Sequence, residues 1–135
     1  MPDDQNIILA KHRMEKAKGT YLAAMENFSN ARYLDANNRA YYSIFHSLRA
    51  ILAIDRVDFK KHSGVISYFR EKYIKTNLFE EKHSDIISKA SMIRNKSDYE
   101  DFYIASREES QEQIDNAKVF YDAVEEYLLG YMESR

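Results

Sequence analysis

No cysteine occurs anywhere in the 135 residues, proline appears once (Pro2), and glycine only three times, at Gly19, Gly64 and Gly130. Without cysteine, neither a disulfide framework nor a thiolate metal site can form. So little proline and glycine leaves few candidates for hairpin turns and favours long helices. Apolar runs extend over only a few residues, far short of the roughly 20 that span a bilayer. The opening MPDDQN also lacks the basic region of a secretory signal. These absences predict a soluble, cytoplasmic protein with no membrane partner. A single domain over residues 1–135 is expected, long enough to bury one core.

Charge is nearly balanced overall, at −2, but it is unevenly distributed. Residues 98–135 hold eleven Asp and Glu against three Lys and Arg, a net of −8, which leaves +6 on residues 1–97. A basic body beside an acidic last helix suits a polyanionic partner, and it equally suits helices that pair with one another. Eleven tyrosines and seven phenylalanines are also present. Tyrosine is common where an apolar surface stays wet, as at interfaces and base-stacking sites, and it also fills cores.

Apolar periodicity predicts five helical segments. In the first, Ala10, Met14, Ala17, Tyr21, Ala24 and Phe28 recur at steps of three and four, a single stripe. The second is expected to start after LDANN, capped by Asn37 or Asn38, and to run to about Ile54 with Tyr41, Ile44, Phe45, Leu48, Ile51 and Leu52 inward. A shorter third helix opens near HSG with Ser63 as cap and carries Val65, Ile66, Phe69 and Tyr73. The fourth runs from about Glu81 to Tyr99. The fifth begins at the capping box Ser106-Arg-Glu-Glu109, buries Ile114, Ala117, Tyr121, Val124, Leu128 and Tyr131, and is ended by Gly130. No segment alternates as a strand would, so the fold class is all-α, an up-and-down bundle of four to five helices.

Two clusters carry candidate chemistry. On helix two, Arg39, Tyr42, Ser43, His46 and Arg49 lie opposite the apolar stripe, with Ala50 and Ala53 continuing their line. A solvated face needs no aromatic and no alanine pair, so this is read as a contact surface or a cleft wall. On helix four, Arg94 falls between the inward positions of Ile87 and Ala90, which predicts a partly desolvated guanidinium, with Asp98 one turn on as an ion-pair partner. Such a pair contributes only about 0.2–0.5 kcal/mol on a helix surface. It would serve either as a helix-end lock or as part of a site. No metal or other cofactor is expected: Glu80-Glu-Lys-His83 is a lone Glu-x-x-His where a di-iron bundle needs two. His12, His46 and His62 lack ligand spacing with one another, and neither a glycine-rich phosphate loop nor a nucleophile elbow is present.

Taken together, NRAYYSIFHSLRAIL (38–52), KKHSGVISYFREKYIKT (60–76) and IRNKSDYED (93–101) resemble the HEPN superfamily. The likeness is to its small stand-alone prokaryotic members associated with minimal nucleotidyltransferases, and it covers residues 10–130. It implies a helical bundle, a homodimer with a cleft shared between protomers, and a nucleotidyltransferase partner protein in a toxin–antitoxin or defence pair. It also implies RNA or a nucleotide as the target.

Active ribonucleases of the superfamily carry an arginine and a histidine with four to six residues between them. Arg94 matches the arginine and is followed by the common polar neighbour Asn95. Tyr99 stands where the histidine would be, and no histidine follows His83. Metal-independent RNA cleavage needs a cation for the phosphorane charge and groups that exchange protons near neutrality. Arg94 suits the first role, Tyr99 is a poor base, and His46 is a candidate for the vacant one. The resemblance thus implies a cleft of Arg94, Asn95, Asp98 and Tyr99 with Arg39, Tyr42 and His46 opposite, and makes Tyr99 and Tyr103 candidates for nucleotidylation. Alternatives remain: a non-catalytic HEPN module that binds nucleotide or RNA, and a structural interaction bundle.

Overall fold

The computed structural model describes residues 4–134. Among these are five α-helices and no strand: α1 (Asp4–Ser29), α2 (Tyr33–Ile54), α3 (His62–Phe69), α4 (Glu81–Tyr99) and α5 (Arg107–Glu133). The expected all-α bundle is what forms, and one apolar core draws on all five helices. No helix among the described residues is long and apolar enough to cross a membrane.

α2 is the central element, packed against each of the other four helices. Its alanines explain how. Ala36, Ala40 and Ala50 are fully buried, as are Ala17 and Ala24 of α1, so the two backbones approach closely enough for Ser43 Oγ to donate to the Ala17 carbonyl at 2.7 Å. The line of Ser43, Ala50 and Ala53 is therefore the helix–helix contact that one reading of the sequence expects, while Tyr42, His46 and Arg49 on its edge stay half-buried. α1 and α2 run antiparallel through a three-residue turn. There Ala31 takes the left-handed conformation (φ 57°) and Arg32 N–H donates to the Asn27 carbonyl at 2.8 Å.

Several expected boundaries move. α2 begins at Tyr33, and Asn37 is an interior buried residue rather than a cap, because its Oδ1 accepts from Ser110 Oγ of α5 at 2.8 Å. α3 begins at His62 with Lys61 in the capping position and no side-chain cap, so Ser63 does not cap it. A π turn at Arg70–Ile74 prolongs α3 and brings Tyr73 inward. Ser106 does cap α5, accepting from the Glu109 amide at 3.0 Å. Gly130 does not end α5, which continues through it to Glu133.

The lower core is aromatic. Phe69 is fully buried, with ring centroids 5.5, 5.1 and 5.6 Å from Tyr73, Phe79 and Phe120. Tyr73 and Tyr68 both donate to Asp55 Oδ2 at the end of α2, at 2.6 and 3.0 Å. Burial, followed by the hydrogen bond to that carboxylate, pushes the Tyr68 phenol up to about 12. These contacts fix α3 against α2, which sets the place of His62 at the start of α3.

Candidate functional site

The site lies where the middle of α2, the first residue of α3 and the last turns of α4 meet. Tyr41 belongs to the buried stripe of α2, yet its hydroxyl reaches outward to His62 Nδ1 at 2.9 Å. The His62 ring stacks on Phe45 with centroids 3.9 Å apart, which holds it flat against α2. Nearby, a Cβ at Gly64 would stand only 3.0–3.2 Å from Phe59 side-chain atoms, so the absence of a side chain lets the α2–α3 connection close over α3.

Arg94 arrives from α4. Its guanidinium carbon sits 4.8 Å from the Tyr41 ring centroid and 5.7 Å from that of Tyr42. Nη1 is 3.3 Å from His62 Nδ1, and the Tyr41 and Tyr42 hydroxyls each lie 3.5 Å from a guanidinium nitrogen. Asp98 Oδ2 is 3.7 Å from Nε, a loose pair with both side chains partly solvated. The expectation of a partly desolvated Arg94 holds, at 28% side-chain exposure.

An arginine can only donate, so His62 Nδ1 accepts from Arg94 as well as from the Tyr41 hydroxyl. The ring is then neutral, with its hydrogen on Nε2. Its pKa is held below the ordinary histidine value by burial and then by the Arg94 and Arg49 charges. What results is a fixed cation held by two phenol oxygens and a neutral imidazole, with the Tyr41 hydrogen engaged by His62 Nδ1 and the His62 Nε2–H left as a further donor.

The other predicted residues divide between this centre and its surroundings. Tyr42 is part of it. Arg39 lies with its guanidinium 5.4 Å from the Tyr42 centroid on the side toward the start of α2. His46 lies beside the Tyr42 ring, with centroids 6.3 Å apart, on the side away from the His62–Arg94 contact. Asn95 and Tyr99 line a different groove, between α3 and α4, with Arg70 and Lys96. The Tyr99 side chain is 81% exposed there, whereas the Tyr103 hydroxyl is buried without a hydrogen-bond partner. Of the two modification candidates, Tyr99 is the accessible one.

His62 is the residue that sequence reasoning passed over. Spacing along one helix could not reveal it, because its partners lie 21 and 32 residues away. The cue was the position of His62 inside KKHSG, one of the three blocks that carry the resemblance. Among the described residues no group of three or more His, Asp or Glu could hold a metal ion.

Three histidines make stability depend on pH. His46, His62 and His83 are all held below 6.5, in each case first by burial. His83 is buried and its Nδ1 faces the Glu80 carbonyl at 3.2 Å. A histidine lowered in the folded state binds fewer protons than its unfolded counterpart, so stability is retained above about pH 6.5 and lost as pH falls through the folded values. Urea midpoints are therefore expected to fall between pH 7.5 and pH 5, and His83→Gln should reduce the difference. A midpoint that rose over that interval would contradict these assignments.

A family model described as "HEPN domain" matches residues 10–127. A Methanocaldococcus jannaschii protein named "Putative toxin MJ0142" is 32% identical over 118 residues, covering 87% of this chain and 80% of its own. A second from that organism, "Putative toxin MJ0605", is 36% identical over 115 residues, covering 85% of each. A "UPF0332 protein" of Thermotoga maritima is 29% identical over 99 residues, covering 73% of this chain and 75% of its own.

Proposed function

The chain belongs to the HEPN domain family, and from that premise we propose that it is a toxin-like protein whose Arg94 centre engages RNA. The observation that carries this reading is the Arg94 guanidinium, fixed over two tyrosine rings and 3.3 Å from His62 Nδ1, with only a loose carboxylate partner. A helix-end lock needs none of those aromatic and imidazole contacts. A guanidinium fork matches the paired oxygens of a phosphodiester, and the neutral His62 can add a donor from Nε2.

Binding is better supported than cleavage. Removal of a 2′-OH proton needs a base within hydrogen-bond reach. His62 Nδ1 is already engaged by two donors, and Tyr99 points into another groove. The isolated protein is therefore expected to bind RNA with weak or undetectable cleavage, with Arg94 required for binding. Incubation with total RNA, with and without the Arg94 side chain, tests this. Robust metal-independent cleavage abolished by Arg94→Ala would show that the cleft works as a ribonuclease. RNA binding absent even at low salt would remove the nucleic-acid reading altogether.

The partner assignments are part of the same proposal. A homodimer with α4 near the two-fold axis would bring two Arg94 side chains to one cleft. Tyr99, Phe102 and Ile104, exposed by 81, 94 and 86% beside the end of α4, support that placement. Light scattering at tens of micromolar should give twice the mass of one chain, and a monomer would count against the shared cleft. A nucleotidyltransferase is the proposed protein partner, and the accessible Tyr99 hydroxyl its proposed target.

The structural alternative rests on the Arg94–Asp98 pair at 3.7 Å. A pair this exposed contributes about 0–1 kcal/mol. On that reading Arg94→Ala and Asp98→Ala would cost equal, small amounts of stability and nothing else.

A further inference from the structure

We infer that the α1–α2 face beside the Arg94 centre is a phosphate-binding subsite, in which Arg13, Lys16, Arg39 and Arg49 converge on His46. The identity of its occupant, a phosphodiester of the RNA engaged by Arg94, rests on the functional reading above; the subsite itself rests on geometry.

Steps of three, four and three place Arg39, Tyr42, His46 and Arg49 on one edge of α2. The antiparallel α1 adds Arg13, whose Nη1 donates to the Arg49 carbonyl at 2.8 Å, and Lys16 one turn farther toward the start of α2. Arg39 donates to Asn38 Oδ1 at 2.6 and 3.2 Å, a neutral partner. Arg49 reaches the exposed Asp58 at 3.3 Å, while its Nε is buried without a hydrogen-bond partner. Among the described residues no ion pair involves Arg13, Lys16 or Arg39, so four cations share one carboxylate.

Arg13, Arg39 and Arg49 are half-buried and Lys16 is exposed beside them; like charges held together repel one another, and an anion among them would relieve that repulsion. Guanidinium forks with an adjacent imidazole suit a phosphate. Tyr42 joins the subsite to the Arg94 centre, with the Arg94 guanidinium 5.7 Å from its ring centroid and the His46 ring 6.3 Å away.

This arrangement couples binding to protons. In the empty protein, burial and then Lys16, Arg49, Arg39 and Arg13 hold the His46 ring below its ordinary value. The charged groups facing it are Arg13 and Lys16 from α1 and Arg39 and Arg49 from α2. Asp58, from the α2–α3 connection, pairs with Arg49. A bound phosphate offsets part of that positive field and raises the His46 midpoint, so binding is coupled to proton uptake and strengthens as pH falls through the raised midpoint.

The experiment is an NMR titration of the histidine Cε1–H resonances against pH, with and without inorganic pyrophosphate, His46 being assigned through His46→Gln. Saturating pyrophosphate is expected to raise the His46 midpoint by about one unit, equivalent to roughly tenfold tighter binding to the protonated form. In Arg13→Gln/Lys16→Ala the rise should largely vanish, and in Arg94→Ala it should persist. Circular dichroism checks that the variants fold, and Lys16→Ala alone, at an exposed position, should reduce the shift without disturbing α1. A His46 midpoint that does not move, or that moves equally in the double variant, overturns the subsite. A parallel titration with a short single-stranded RNA separates the two claims. RNA binding that needs Arg94 but leaves His46 unmoved, where pyrophosphate moves it, overturns the RNA phosphodiester as the subsite's occupant and spares the Arg94 reading. A pyrophosphate shift with no RNA binding upholds the subsite and removes the RNA reading.

Discussion

Arg94→Ala is expected to weaken binding of a short single-stranded RNA by roughly 10- to 150-fold, the equivalent of about 1.5–3 kcal/mol for a charge-assisted interaction. Fluorescence anisotropy at low salt measures it. The size of the loss follows from what the alanine removes: a cation prepositioned by Tyr41, Tyr42 and His62, which no neighbour can replace. Arg94→Lys should recover only part of it, since an ammonium keeps the charge but loses the fork. Tyr99→Phe should leave binding unchanged, because that hydroxyl is exposed in the α3–α4 groove. Binding should also weaken steeply with salt as phosphates release counterions, with a shallower slope in Arg94→Ala. An Arg94→Ala protein that bound RNA like the parent would move the site elsewhere.

The largest expected effect on stability is at Phe69. Truncation to alanine removes a fully buried ring in contact with Tyr73, Phe79 and Phe120. That should cost about 3–5 kcal/mol from lost burial and the cavity left behind. Against a total of roughly 5–15 kcal/mol for a domain this is severe, and the thermal midpoint should drop on the order of 10–20 °C. The ring partners of Phe69 are Tyr73, Phe79 and Phe120 rather than the side chains that hold Arg94, so the fraction that remains folded should still bind RNA. A loss under 1 kcal/mol would mean that the aromatic cluster is not the core it is taken to be.

The parts of the fold legible in the sequence are those decided by local periodicity. Of the first stripe Ala10, Met14, Ala17 and Ala24 are buried and Tyr21 and Phe28 partly so; of the last, Ile114, Ala117, Val124 and Leu128 are buried and Tyr121 and Tyr131 partly so. α4 begins and ends at the expected residues. Boundaries failed where a distant element overrode a local signal. Asn37 looks like a cap in its own segment, but inside the helix its Oδ1 is taken by the Ser110 hydroxyl from α5. Gly130 looks like a stop, yet it sits on the exposed side of α5 with nothing near its absent Cβ, so the helix runs through it.

The candidate site divides in the same way. The partial burial of Arg94 and its pairing with Asp98 follow from positions on one helix, and both could be read. The choice of histidine could not. Sequence position points to His46, which shares the edge of α2 with Tyr42, whereas His62 reaches Arg94 through the packing of α3 against α2. That depends on Phe45, Tyr41 and the Asp55–Tyr73 contact together. His46 instead stands among the cations of α1 and α2.

The most direct test of the account is to map the bound RNA onto the protein by amide and side-chain chemical-shift perturbation, using a short single-stranded oligonucleotide at low salt. The largest changes should fall on Tyr41, Tyr42, His62 and Arg94, and they should disappear in Arg94→Ala. Changes centred on the α3–α4 groove around Arg70 and Tyr99, or on the far end of the bundle around Phe79 and Tyr127, would contradict it.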